Sequence, residues 1–430
     1  RGHGTADLEG VGIVSAVTLK SQRARTRRER KFGAFSVLLA VVILGAFARN
    51  ADGRAATFII DASRVDPWPA LVISLGPTAV ITAVLVLAIA AVQLTRGFGD
   101  RALLALGVAA ALFVFAFLTW AAADQSLSLI GLFRGMLFSA TPIAFGAMTG
   151  VLCERAGVIN IAIEGQFLAA AFTGAVIGSV TSSPWIGLIG AIGAGLFIAF
   201  MHAGLSITFK TDQIVSGVVL IVFATGLTSF LTTQVLSGNP GLNNPPRFGS
   251  FPIPGLAEIP IVGRLLFDST PLTYAMFIAV AWLYYALFYT RWGLRLRSVG
   301  EKPRAADTVG INVIATRWKA VLLGGVTAGL GGAWFTLEAV GSFNDEMTGG
   351  RGFISLAAML VGRYNPVGAF GAALLFGFAT AMASVLQLLD TGVPSSLLLT
   401  IPYVVTIVVV AGLLGRLRPP AADGQPYEKE

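Results

Sequence analysis

Long apolar runs alternate with short polar connections through most of the chain. Runs of spanning or near-spanning length fall at about 33–48, 70–94, 102–122, 128–152, 159–180, 185–207, 213–236, 271–290, 318–340, 367–388 and 395–414. The hydrocarbon core of a bilayer is about 30 Å thick and takes about 20 apolar residues as a helix. A shorter run at about 353–362 reaches only about 15 Å as a helix, so a half-span or re-entrant element is expected there. The pattern predicts an all-α polytopic membrane protein with about 11 spanning helices plus one half-span.

Composition agrees. The 430 residues are 55% apolar and 12% charged, whereas soluble domains carry about 25% charged residues. Such a chain cannot clothe a water-facing surface. Its 51 glycines suit a bundle in which small residues let helix backbones approach closely.

Charge then gives an orientation. With the N-terminus in the cytoplasm and sides alternating, most Lys and Arg fall in inner segments. These include the run "RARTRRERK" at 23–31, Lys210, Arg291, Arg295, Arg297, Lys302, Arg304 and Arg317. The outer segments hold Arg49, Arg54, Arg64, Arg247, Arg264 and Arg351. The positive-inside rule therefore places both termini in the cytoplasm. This parity requires the short 353–362 piece to carry the chain inward. The net charge of +8 is read as topological, with no nucleic-acid partner. The basic run before the first apolar stretch has a second reading, as the n-region of a signal peptide with "AFA" at 46–48 as cleavage site. An uncleaved anchor is the reading preferred here.

Much familiar chemistry is missing from the sequence. Cys153 is the one cysteine and His3 and His202 the two histidines, so no metal-ligand spacing exists. There is no GxxxxGK[ST] loop for ATP phosphates, no HExxH and no GxSxG. No catalytic residue and no cofactor are expected in this chain; binding and conformational change remain.

The buried polar residues then matter most. In "GVINIAIEGQ" (157–166), Asn160 and Glu164 are four apart and would share a face if helical. A carboxylate at a bilayer helix centre costs about 2.5–3.5 kcal/mol on insertion scales. Either the two line a water-filled path, or they hydrogen-bond neighbouring helices. Gly157, with Glu154 and Arg155 before it, suggests a helix interrupted near the inner surface, as in transporters with broken helices. Gln213 and Ser216 in "TDQIVSG" lie near a helix start, with capping or packing as their blander role. Trp334 and Glu338 are four apart near an outer helix end and Asn344 follows; the alternative for the ring is an interfacial tryptophan. Pro142 is expected to kink its helix and Arg134 to snorkel. His202 reads as a packed polar residue.

Two connections are long. The one at about 237–270 is rich in Asn, Gly and Pro and predicts turns. In the other, at about 291–317, Pro303 in "EKPRAADTVG" starts a short helix that Gly310 ends.

The stretches "CERAGVINIAIEGQFLAAAFTGA", "TDQIVSGVVLIVFATGLTSFL", "SVGEKPRAADTVGINV" and "GRGFISLAAMLVG", in that order, resemble the permease subunits of bacterial ABC importers. The pattern is most similar to the nucleoside, basic-membrane-protein-dependent type within the ribose and simple-sugar permease group. The resemblance covers about residues 126–418. It implies a basic cytoplasmic segment at 1–31, an N-terminal extension with three transmembrane helices at 32–125, the permease core at 126–418 and a cytoplasmic tail at 419–430. It also implies a cell-membrane location and a cytoplasmic ABC ATPase carrying ATP and Mg. A second permease subunit, related or identical, and an extracytoplasmic solute-binding lipoprotein complete the expected set. Gly300, Glu301, Pro303, Arg304, Ala305, Ala306 and Gly310 fall in what looks like the ATPase-coupling segment. Asn160, Glu164, Gln213, Ser216, Trp334, Glu338 and Asn344 are the candidate pathway residues. Permeases for simple sugars or branched-chain amino acids are the alternatives within the class, and an ion-coupled secondary transporter the alternative outside it.

Overall fold

The computed structural model describes residues 28–49, 51, 53–60, 69–389, 394–413 and 418–429. Among them, ten helices are long and apolar enough to cross a membrane. The chain divides into two compact units, one running up to Leu129 and the other made of Ile130–Gln387 with Val393–Glu430.

The first unit holds α1 (Arg28–Phe47), β1 (Ala55–Ile59), β2 (Leu71–Ser74), α2 (Leu75–Thr95), α3 (Ala102–Ala121) and β3 (Ser126–Ser128). Small and branched residues on one face of each helix make its core, including Ile43, Ala79, Ala83, Val86, Ala109 and Ala116. Phe47 stacks on Trp120 at 5.3 Å. The sheet order is β2-β1-β3, antiparallel at Ala55↔Ser74 and parallel at Thr57↔Ser126. The expected helix at 70–94 is thus shorter than its apolar run. Leu71–Ser74 is extended because it pairs with β1, and the helix starts at Leu75.

The second unit holds α4 (Leu129–Arg155), α5 (Ile163–Thr181), α6 (Pro184–Ala203), α7 (Gln213–Leu231), β4 (Phe251–Pro252), α8 (Val262–Leu266), β5 (Asp268–Ser269), α9 (Pro271–Tyr289), α10 (Arg291–Glu301), α11 (Pro303–Thr308), α12 (Val313–Trp334), α13 (Arg351–Val361), α14 (Pro366–Leu388), α15 (Ser395–Leu398) and α16 (Ile401–Leu413). Wide π turns lengthen α6 to Thr208, α7 to Leu236 and α12 to Val340. The expected span at 395–414 is represented by α15 and α16; residues 414–417 lie outside the described set. Pro142 sits inside a continuous α4, one residue after Thr141, whose hydroxyl bonds the Leu137 carbonyl at 2.9 Å.

Helix α12 is the centre of the packing, and glycine makes that possible. A Cβ on Gly195 of α6 would lie 2.6 Å from the Gly325 carbonyl oxygen and 2.7 Å from the Gly329 nitrogen. One on Gly332 would lie 2.6 Å from the Phe167 carbonyl of α5. In lipid there is no hydrophobic drive between helices, so close backbone packing of this kind is what holds them. Hydroxyls add to it: Thr149 of α4 meets Thr327 of α12 at 2.7 Å and donates to the Gly324 carbonyl at 3.0 Å.

The expected half-span is α13, and the chain around it makes a full crossing. Just before it, Phe248 of the 237–270 connection donates to the Leu337 carbonyl at 2.8 Å. Just after it, the Tyr364 carbonyl accepts from Arg155 Nε at 2.9 Å, at the far end of α4. Irregular backbone at 341–350 followed by α13 therefore carries the chain from one end of the bundle to the other.

Gly195→Leu and Gly329→Leu should each force α6 and α12 apart, at about 1–3 kcal/mol or more. Thermal denaturation in detergent should show a clear loss of stability or of monodisperse protein. Gly193→Leu, with nothing within 4 Å of its Cβ position, should match the parent.

Candidate functional site: a broken helix, two buried carboxylates and a coupling segment

Between α4 and α5 the helix is broken. Gly157 takes φ +82°, and its amide and that of Val158 close back onto Glu154 and Cys153 at 2.9 and 3.0 Å. A side chain at Gly157 would meet the Arg317 guanidinium at 2.9 Å as well as adopting a left-handed backbone, so glycine suits this stop. The freed backbone groups find partners on three other helices. Ile159 N donates to Gln213 Oε1 at 2.7 Å, and the Ile159 carbonyl meets His202 Nε2 at 2.9 Å. Arg317 Nε donates to the Ala156 carbonyl at 3.2 Å. His202 Nδ1 lies 3.5 Å from the hydroxyls of Ser206 and Ser216, which are 3.1 Å apart.

Asn160 therefore does not share a helical face with Glu164, because α5 starts only at Ile163. It is fully buried, with its amide nitrogen 3.5 Å from both Cys153 Sγ and Gln166 Oε1. Asn160 Oδ1, Gln166 Nε2 and Gln213 Nε2 have no hydrogen-bond partner among the described residues. Asn160, Gln213 and Ser216 thus gather at the break, while Glu164 turns elsewhere.

Glu164 caps α13. Its Oε1 accepts from Thr348 Oγ1 at 2.6 Å and Gly350 N at 2.8 Å, and its Oε2 from Gly352 N at 2.6 Å. A Cβ on Gly352 would lie 2.6 Å from the Glu164 nitrogen, so the N-terminal turns of α5 and α13 touch. A helix N-terminus leaves N–H groups unpaired and carries a partial positive charge. One carboxylate here bonds the end of α13 and sits, as an acid, in the first turn of α5. Glu338 does the same for α9: it accepts from Leu272 N at 2.8 Å and from Thr270 Oγ1 at 2.9 Å. Thr270 is the N-cap residue of α9 and makes no cap bond of its own.

Trp334 is buried, with its ring 4.7 Å from that of Phe138 and 5.1 Å from that of Phe335. Its indole nitrogen has no hydrogen-bond partner among the described residues. Phe138 lines a cleft of about 250 Å³ together with Arg134, Asp268, Ser250, Thr270 and Thr273. Arg134 does not simply extend to the interface: it donates to the Asp268 carbonyl at 2.9 Å and pairs with its carboxylate at 3.5 Å. The arginine inside an apolar run and the threonines three apart were signals for this cleft that sequence reasoning passed over. Asn344 is exposed and begins the turn closed by Met347 N at 3.2 Å.

The segment expected to be the coupling element is a helix pair. Thr290 Oγ1 caps α10 by accepting from Gly293 N at 3.2 Å. Pro303 opens α11, whose last turn leads to Gly310 at φ +83°. Gly300 lies flat against the Arg155 carbonyl, leaving no room for a side chain. Ala306 is buried with Val299 and Val313, while Glu301, Arg304, Ala305 and Gly310 face outward and Pro303 is half-buried.

Many apolar helices, broken and capped inside the bundle, with a short amphipathic pair exposed at one end, define the membrane component of a transport system. Residues 132–414 match the family model described as the permease component of branched-chain amino acid transport systems, and the chain belongs to that family. Several curated proteins are similar over nearly their whole length. The nucleoside ABC transporter permease protein NupC of Lactococcus lactis subsp. cremoris is 42% identical over 68% of this chain and 95% of its own. The guanosine ABC transporter permease protein NupQ of Bacillus subtilis is 38% identical over the same shares. The putative glucose ABC transporter permease protein TsgC13 of Haloferax volcanii is 32% identical over 70% of this chain and 98% of its own. The chain is thus an integral membrane permease component and not itself an enzyme.

Removing the cap should loosen α13 selectively. Glu164→Gln keeps an acceptor but loses the charge, and should cost about 1–2 kcal/mol. Hydrogen exchange should speed at the Gly350 and Gly352 amides and stay unchanged at Leu272; Glu338→Gln should give the reverse. Unaltered exchange at Gly352 would show that the carboxylate does not hold this end.

Proposed function

We propose that this chain is the transmembrane subunit of an ATP-driven, binding-protein-dependent importer for nucleosides. The observation that carries the substrate class is the 42% and 38% identity to nucleoside and guanosine permeases over 95% of their lengths. Similarity at 32% to a putative glucose permease over 98% of its length supports simple sugars as the second reading.

On this reading Glu301 at the end of α10 and the exposed Arg304 and Ala305 of α11 dock on a cytoplasmic ABC ATPase, and Gly300, Pro303, Ala306 and Gly310 shape that surface. The charge bias in the sequence supports the cytoplasmic placement of that end. The turn-rich 237–270 connection then faces outward, where a solute-binding lipoprotein docks. A second permease subunit, related or identical, completes the pathway. Asn160, Gln213 and Ser216 serve it at the inner break, with Trp334 and Glu338 toward the outer cleft. Glu164 and Glu338 contribute through the helices they cap, and Asn344 through the loop that leads into α13. ATP and Mg act on the ATPase alone. Closing of the ATPase dimer shifts the bundle between inward- and outward-open populations, for which a few kcal/mol of differential binding suffices.

Proteoliposomes containing the assembled complex should take up labelled adenosine, with vanadate blocking uptake and an ionophore leaving it intact. Guanosine should compete where ribose, glucose and leucine do not. Competition by ribose above every nucleoside would end the substrate assignment, and uptake by the permease alone would end the ATP-driven one. Arg304→Glu with Ala305→Trp should leave the protein in the membrane but abolish transport; full transport would remove α11 from the docking surface.

A further inference from the structure

The last described segment, residues 418–429, has the polar sequence of a solvated tail, yet it is fastened to four elements of the second unit. Ala422 N donates to the Gly300 carbonyl at 2.9 Å, and Ala421 N to Glu301 Oε2 at 3.3 Å, both on α10. The Gln425 carbonyl accepts from Arg317 Nη1 of α12 at 2.8 Å. Lys210, just before α7, pairs with Glu428 at 2.7 Å. Tyr427 packs on the cluster of Val299, Ala306 and Val313 that seats α11. Ala422 is only 4% exposed, and a side chain at Gly157 would lie 3.0 Å from its carbonyl oxygen. The tail thus fills the angle between the coupling helices and the end of α4.

One fastening is chemically distinctive. The Asp423 carboxyl interacts with the Glu154 carboxyl at the end of α4, and its Oδ1 is buried with no other hydrogen-bond partner among the described residues. Two carboxyls in contact need a proton between them, because two ionised ones repel. Burial pushes Asp423 up to about 6, while its interactions with Glu154, with the Gly424 backbone and with the charge of Arg317 act against that rise. The other groups with charge interactions at this spot are Tyr364 after α13 and Cys153 on α4.

We propose that residues 418–429 form a latch that holds α10 and α11 against the bundle, fastened by a proton shared between Asp423 and Glu154. Helix α11 has six residues and buries one of them, Ala306. Left alone, such an element bends at Lys302 when pushed. With the latch closed, a push on α11 passes through Tyr427, Ala422 and Gln425 to α4 and α12. The sign of the pH effect follows from Asp423. Its docked value lies above the free value of about 3.9, so docking is firmest at acidic pH. It weakens as pH rises through about 6. The consequence for transport rests on the coupling role proposed above; the latch itself does not.

The latch is read with single cysteines in a Cys153→Ser background. In reconstituted permease, Ala422→Cys should react with a charged maleimide about tenfold more slowly than Ala305→Cys at pH 5.5. That gap should narrow several-fold by pH 8, the Ala305 site correcting for thiol ionisation. Adding Asp423→Asn, which keeps a hydrogen bond and needs no proton, should hold the gap constant with pH. Equal rates at the two sites at every pH would overturn the latch, and a gap in the parent that ignores pH would overturn the shared proton. In complex with the ATPase, deleting 418–430 should leave ATP hydrolysis running while substrate moved per ATP falls several-fold. Undiminished transport per ATP would overturn the latch's mechanical role. Failure of any ATPase to bind α11, with the labelling gap intact, would instead count against the importer reading.

Discussion

Two helix N-termini meet at Glu164, and the rest of the second unit is arranged around that meeting. Each terminus carries about half a positive charge and unpaired N–H groups, in surroundings where a bilayer supplies no water to pair them. Brought together bare, α5 and α13 would repel and leave donors buried. The carboxylate removes both objections with bonds of 2.6–2.8 Å, and those bonds offset the cost of placing an acid inside the bundle. With α13 held there, 341–361 completes a crossing, α14 can start at the Arg155 end, and the C-terminal segment returns to the coupling helices. Glu338 repeats the device at α9. The two most conspicuous acids in the apolar runs are thus capping residues supplied from a distance.

The break at 156–162 obeys the same constraint by other means. Its backbone bonds are shared out among His202, Gln213 and Arg317, one helix each. Relative movement of α6, α7 or α12 is therefore felt at the break, since each contributes a bond to it. Gly300 rests on the Arg155 carbonyl, two residues before Gly157. The α10–α11 pair and the broken helix are consequently in direct contact, and a displacement of α10 acts first on this junction.

Much of the fold was legible because membrane helices announce themselves by length and hydropathy, and because Pro303 and Gly310 are local signals for a local helix. The short α13 followed from the length of its apolar run. What could not be read is whatever depends on distant partners. Asn160 and Glu164 suggest a shared face only if the helix is continuous, and Gly157 interrupts it. The partners of Glu164 lie 184 to 188 residues away, beyond any spacing argument. Leu71–Ser74 reads as part of a helix until β1 is there to pair with it. The C-terminal segment looks solvated because its burial rests on Gly300, Arg317 and Tyr427 being brought together by the fold. The permease class, by contrast, was carried by four local motifs in order, and those are what a family shares.

The distribution of satisfied and unsatisfied polar atoms says which helices move as one body. Glu164 ties α5 to α13, and Glu338 ties α12 to α9, each through two or three strong bonds whose loss would strand a buried charge. Breaking such a junction costs several kcal/mol, more than a transport cycle needs to invest at one contact. The α5–α7 contact near the break is different. Gly165 packs 3.0 Å from the Leu220 carbonyl by the Cβ measure, and the side-chain atoms nearby, Gln166 Nε2 and Gln213 Nε2, hold no hydrogen-bond partner among the described residues. Sliding there gives up van der Waals contact and the neutral Ile159 N–Gln213 and Ser206–Ser216 bonds, but no charged bond. The Glu164 junction between α5 and α13 is thus the firmer of these contacts. A bistable transporter needs that combination of fixed and yielding seams.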